Sequence, residues 1–500
     1  MRIVRRWLPA VLLLAAGCGG RGDLYTRKLE PLPLLTTGEA LVSVVPQTQR
    51  VVAVRPGGKS QGLPISDGAR RAVRLQGEQV AVLAGDQRHP VLQLVSVDSG
   101  DVRTLELPGA YDTLTFSDDS RYGLLTYSTA SLGPDVVARN LNEVAVVDAE
   151  ARSVTRLTLG TESLAPRSVV FAPPHEDRQY VVITLDRGVV VLDAKHPRRA
   201  PKRIPTRLSE TQPEVSVQEA LFSRGGDVLF LRLSSMDDVF AVELAQEGDE
   251  LLASVNFLAG GTGLSDLELP PEAAPASERS VLAVYAGSQE ARVLDARGLQ
   301  DGPRLPLGAP LTKAHVLSDG RTLFYEGKLR TVVAWDVVSG KNGTVLLSAG
   351  FDAVRFSDAL GAAVFRHPSV GSTGGAALSV VTVREEDTRL RVRISPIPVS
   401  RAIGADVMDA DRGRLYFAPQ GQPVLARLDV ETLAIDQVTL DAPITALHYL
   451  PASGLLAAQH AEPTLGDVTL IPADRLERGA AERVRYFTLA DELARASEGP

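Results

Sequence analysis

Phe116-Ser117-Asp118-Asp119-Ser120-Arg121-Tyr122-Gly123-Leu124-Leu125-Thr126-Tyr127 holds the end of one strand, a polar turn and a second strand. An aromatic residue closes the first strand, Ser and Asp supply turn chemistry, and the apolar run that follows suits a buried strand. Val144 to Val147 then ends in Asp148, and a further turn follows. Asp bonds backbone amides just after itself and so starts turns. One unit therefore carries two landmarks.

Both landmarks return along the chain. The first recurs at Phe222-Ser223-Arg224-Gly225-Gly226, Leu317-Ser318-Asp319-Gly320 and Phe356-Ser357-Asp358, with weaker copies at Phe171-Ala172 and Met408-Asp409. The second recurs at Asp98, Asp193, Glu243, Asp295, Asp336 and Asp429, with degenerate copies ending at Val383 and Ile471. Successive acids from Asp98 to Asp336 are 50, 45, 50, 52 and 41 residues apart, and the 93 from Asp336 to Asp429 fit two units. A unit of about 46 residues with four short strands is the size of a propeller blade. One four-stranded sheet cannot cover both its faces, so blades stack around an axis and cover one another.

The expectation is all-β: a single β-propeller of four-stranded blades over 40–490. Nine units can be counted from about residue 65 to 489. The expected ring has eight blades, with seven and nine open, and one unit is degenerate or split between the chain ends. Residues 40–55 form a hairpin-like pair suited to a clasp. The two landmarks resemble the Tol-type and the seven-bladed lactonase-like (surface-layer type) propeller repeats of bacterial periplasmic proteins. That resemblance implies architecture over about 65–490 and no particular chemistry.

The start of the chain reads as a leader. Arg2, Arg5 and Arg6 precede an uncharged run from Trp7 to Ala16, too short for a membrane span, which needs roughly 20 residues, and suited to a signal peptide. Leu14-Ala15-Ala16-Gly17-Cys18 resembles the lipobox of bacterial lipoproteins, with Ala15 where Leu is commoner. The resemblance implies a signal peptide over 1–17 and lipid on Cys18, and Gly19, Gly20, Gly22, Pro31 and Pro33 with little periodicity read as a flexible tether over 18–39. Gly19, in place of the Asp that retains lipoproteins at the inner membrane, favours the outer membrane. Cys18 is the only cysteine, so no disulfide or thiolate metal site is expected. Residues 491–500 are expected to form a C-terminal tail.

The formal charge of −8 becomes about −11 without the three leader arginines. With no extended basic face, nucleic acid is not an expected partner. The nearest basic run, Lys195 to Arg203, reads as a solvated loop between blades. Gly57-Gly58-Lys59-Ser60 ends like a phosphate loop, but Ala53 stands where the first glycine is needed and Gly62 and Pro64 oppose the following helix. It reads as a turn. Asp409-Ala410-Asp411-Arg412-Gly413 partly resembles a calcium loop but lacks a third ligand, so Asp409 and Asp411 form a weak metal candidate and no cofactor is expected. His315 and His448 fall on expected innermost strands and are candidates to line the funnel. No catalytic residue stands out.

The function expected is a lipid-anchored cell-envelope scaffold that binds a protein or peptide of the envelope and touches the membrane through its lipid only. The alternative is an exported propeller enzyme, such as a lactonase-like hydrolase, with its site in the central funnel. The second would require acids or histidines that converge at the axis.

Overall fold

The computed structural model describes residues 28–128, 140–160, 165–207, 209–274, 276–297, 301–368, 376–461 and 465–489. The leader, Cys18, residues 18–27 of the expected tether and the expected tail lie outside them.

The chain forms ten four-stranded antiparallel sheets, each a meander of consecutive strands. These blades run 35–64, 71–106, 113–158, 166–204, 217–258, 264–306, 313–346, 353–399, 403–439 and 444–485 and are numbered 1 to 10. The protein is an all-β propeller of ten blades, which overturns the expected eight and the range of seven to nine. The nine units counted from residue 65 are blades 2 to 10. The tenth is blade 1, made by 35–64 alone and not by a split between the ends. It escaped because its first strand is only Leu35–Thr36, and because Arg50–Val54 is followed by Arg55 and not by an acid. The hairpin at 40–55 is the middle of that complete blade.

Burial explains the strand sequences. In blade 4, Tyr180–Leu185 and Val189–Asp193 are buried at every residue, because neighbouring blades cover both faces. Such strands read as continuous apolar runs and lose the alternation of a sheet with one wet face. Last strands recover it: Asn342–Leu346 of blade 7 alternates exposed and half-buried residues. Each fully buried Val, Leu or Phe contributes about 1.5–3 kcal/mol of transfer free energy. The middle strands therefore supply most of the apolar stabilisation.

Every junction between successive blades holds its own apolar cluster. The remaining cluster closes the ring. Leu41, Val52 and Val54 of blade 1 pack with Ala457, Val468 and Leu470 of blade 10. Leu29, in the segment read as tether, and Phe487 and Leu489, beyond the last strand, are buried there too. The Ala452 amide adds a 2.9 Å bond to the Gly38 carbonyl.

The landmarks do local work. Ser117 Oγ accepts the Tyr122 amide at 3.0 Å and Ser223 Oγ accepts the Val228 amide at 3.2 Å, each across the turn that follows the aromatic residue. Asp336 Oδ1 accepts the amides of Val338 and Ser339, at 2.9 and 3.2 Å. Gly340 completes that turn at φ +73°, where a side chain is strained. Gly57 and Gly58 form a turn between strands Arg50–Val54 and Ser60–Pro64, as read. The basic run at 195–203 corrects its reading: it joins the third and fourth strands within blade 4. His196 Nδ1 and Arg199 Nη1 fold back onto the buried Asp193 carboxylate at 2.8 and 3.0 Å.

Candidate functional site

The first strand of each blade faces the axis, and on blades 5 to 9 these strands carry charge. They are Val217–Phe222 with Glu219, Leu264–Glu268 with Asp266 and Glu268, Lys313–Val316, Ala353–Ser357 with Arg355, and Ile403–Asp409 with Asp406. Arg71 and Arg74 on the first strand of blade 2 and Arg167 on that of blade 4 add to these, and a charge taken part-way out of water needs a partner. Glu219 meets Arg232 of its own blade at 3.0 Å. Asp266 meets Lys313 of the next blade at 2.5 Å and accepts the Ala314 amide at 2.9 Å. Asp406 takes Arg355 at 2.6 Å and Arg366 at 2.5 Å, both from blade 8, and Arg366 also meets Asp352 at 2.7 Å.

Glu268 departs from this pattern. No lysine or arginine of the described residues lies within ion-pair distance, and the nearby Leu269 backbone amide offers its carboxyl only a weak opposing influence. Burial, then the charge of Asp266 and of Glu219, push its carboxyl up to about 7, against the Leu269 amide and Lys313. Burial raises Glu219 as well, against its bond to Arg232. Tyr325, beside them, is pushed up to about 12 by burial and then by Asp266 and Glu268.

Glu268 lines a cleft of about 580 Å³ between blades 6 and 7, on the rim where first strands turn into second strands. Leu269, Pro271 and Val316 give it apolar wall, and Arg224, Glu272 and Asp319 stand around it. A second cleft, of about 480 Å³, lies between blades 2 and 3 against Ser96, Arg103, Arg121 and Glu150.

The histidines singled out from sequence do not meet. His315 is on the first strand of blade 7, stacked on Phe356 with ring centroids 3.6 Å apart, and its Nε2 is 3.2 Å from Asp358 Oδ1. It therefore seals the junction with blade 8. His448 is on the first strand of blade 10, with two whole blades between it and His315. Burial holds its pKa below the ordinary histidine value, and its Nε2 is buried without a hydrogen-bond partner. Asp409 is buried and accepts the Arg412 amide at 3.3 Å, whereas Asp411 is exposed. Among the described residues no three His, Cys, Asp or Glu are placed to hold a metal ion. His367 and His460 bridge strands: their Nε2 atoms lie 2.7 Å from Ser379 Oγ and Thr469 Oγ1.

Sequence reasoning missed the Glu219–Asp266–Glu268–Lys313 group. The available signal was a charge on the first strand, returning at the blade period: Glu219 to Asp266 and Asp266 to Lys313 are each 47 residues.

No family model matches the chain, and no curated protein matches it. Solved structures do, at the level of fold. A eukaryotic initiation factor is 12% identical over 75% of this chain and 91% of that one, with a TM-score of 0.44. The dihydro-heme d1 dehydrogenase NirN is 12% identical over 82% of this chain and 73% of that one, with a TM-score of 0.43. AztD from Citrobacter koseri is 12% identical over 63% and 86%, with a TM-score of 0.36.

Proposed function

We propose that this chain is a lipid-anchored propeller of the bacterial cell envelope that binds a protein or peptide there and catalyses nothing. The leader motif ending at Cys18 supports the anchor, and Gly19 supports the outer membrane. The observation that carries the binding reading is the inner wall of blades 5 to 9. Asp266–Lys313 and Asp406–Arg355 tie it together across blades, which favours a pre-organised surface, and an open cleft at the rim holds one carboxyl without a cation. Rigid surfaces of this kind bind at low ordering cost. The resemblance to Tol-type propeller repeats agrees with an envelope partner.

Two experiments test it. Growth with labelled fatty acid is expected to label the wild type and not Cys18→Ser, and equal labelling of both ends the lipoprotein reading. Crosslinking in intact envelopes is expected to trap a discrete partner on the wild type. Recovery of the chain only as a soluble, partnerless species counts against the scaffold.

The enzyme reading keeps one specific support. A half-buried carboxyl poised near neutrality in a cleft is what a general acid or base requires. Release of product from aryl ester or lactone substrates by the wild type, lost in Glu268→Gln, would decide for it.

A further inference from the structure

We infer that the cleft between blades 6 and 7 binds a cationic group, an alkylammonium or guanidinium as carried by lysine and arginine, with Glu268 as its counter-ion. The inference rests on the binding reading and names the chemistry of the ligand.

The charge balance around the cleft leads to it. Asp266 has Lys313 at 2.5 Å, Glu219 has Arg232 at 3.0 Å, Glu272 has Arg224 at 3.6 Å, and Asp319 has Arg321. The cations are engaged as well, although Arg224 Nε is buried without a partner. Arg224 also donates to the Pro270 carbonyl at 2.7 Å, and Arg321 also donates to the Val383 carbonyl. Arg224, the cation lining the cleft, is already drawn to the Pro270 carbonyl and to Glu272, which makes it a poor receptor for an anionic ligand. Glu268 alone among these acids has no cation at ion-pair distance.

A carboxylate part-way out of water without a cation is costly, and an arriving cation removes that cost. The walls suit the rest of such a ligand. Leu269, Pro271 and Val316 offer apolar surface for the methylene stem of a basic side chain, whose charged head can then reach the carboxylate. At about 580 Å³ the cleft has room for a basic side chain and the backbone on either side of it.

Binding must then depend on pH, because a cation prefers ionised Glu268. The groups that face this carboxyl are Asp266 on its own strand, Glu219 on blade 5, and Lys313 and Tyr325 on blade 7. Arg224, Glu272 and Asp319 ring the cleft mouth. Glu268 gives up its proton through about pH 7. Affinity for the cation therefore rises from pH 6 to pH 8, with release of a proton.

The full chain is titrated calorimetrically with the tripeptide Gly-Arg-Gly, with 1,5-diaminopentane and with Gly-Asp-Gly. Gly-Arg-Gly or the diamine is expected to bind, about fivefold or more tighter at pH 8 than at pH 6. Glu268→Gln, a near-isosteric change, is expected to lose about tenfold, while Glu150→Gln in the distant cleft of blades 2 and 3 keeps wild-type affinity. Circular dichroism confirms that both variants fold. Binding of the peptide but not the diamine points to a basic side chain of a protein partner, and the reverse points to a free polyamine. Preference for Gly-Asp-Gly, equal affinity in Glu268→Gln, or no heat with either cation overturns the inference. The scaffold reading is scored separately by envelope crosslinking. A partner that Glu268→Gln still captures leaves the scaffold standing and removes the cleft from it. Cation binding with no captured partner does the opposite.

Discussion

Lys313 Nζ of blade 7 lies 2.5 Å from Asp266 Oδ1 of blade 6, and the other oxygen of that carboxylate accepts the Ala314 amide at 2.9 Å. One carboxylate thus ties two first strands that are 47 residues apart in sequence. It also raises the pKa of Glu268 more than Glu219 does.

Asp266→Ala is expected to destabilise the fold by about 2 kcal/mol, because it leaves the buried Ala314 amide without its acceptor and the more exposed Lys313 without its counter-ion. Asp266→Asn, which can still accept the amide bond, loses less. Chemical denaturation measures both. The same Asn variant is expected to lower the titration midpoint of Glu268, read by carboxyl-resolved NMR, because one like charge is gone. A midpoint that does not move shows that the Asp266 charge does not contribute to it.

Glu268 also bears on stability. Its pKa is raised on folding, so the folded state favours its protonated form. The penalty for ionising it is absent below its unfolded pKa, grows as pH rises, and is complete above about 7. Glu268→Gln is therefore expected to leave the unfolding midpoint at pH 4 nearly unchanged and to raise it by about 1–2 °C at pH 8. Calorimetric scans at the two pH values check this, and a loss of stability at pH 8 contradicts it.

Ring closure depends on packing from both ends of the described chain. Phe487 is buried against blade 10, in the same cluster as Leu29. Phe487→Ala is expected to cost about 3–5 kcal/mol, and Leu29→Ala about 2–5 kcal/mol, by opening a cavity at the junction of blades 1 and 10. Limited proteolysis should cut those variants first at the end segments. Cleavage that begins in blades 4 to 7 would place the weak point elsewhere.

At the turn that follows Asp336, Gly340→Ala forces a side chain into φ +73°. The expected cost is about 1 kcal/mol. Denaturant midpoints measure it, and an unchanged midpoint means the turn relaxes.

The blade period was legible because its signals are local. Ser117 bonds Tyr122 and Asp336 bonds Val338, over five residues or fewer, so the residues that make a turn stand together in the chain. The buried middle strands were legible for the same reason, as continuous apolar runs such as Tyr180–Leu185. The blade count was not. Leu35–Thr36 is too short to register as a strand, and the number of blades is settled only when blade 1 meets blade 10 through Leu41, Val52, Val468 and Phe487. The site was hidden more deeply. That Lys313 goes to Asp266 while Glu268 goes without a cation depends on how neighbouring blades sit against each other. Sequence alone determined the unit, because hydrogen-bonded turns and strand burial act within one blade. Tertiary structure alone decided the ring and its uncompensated charge, because closure and charge pairing act between blades.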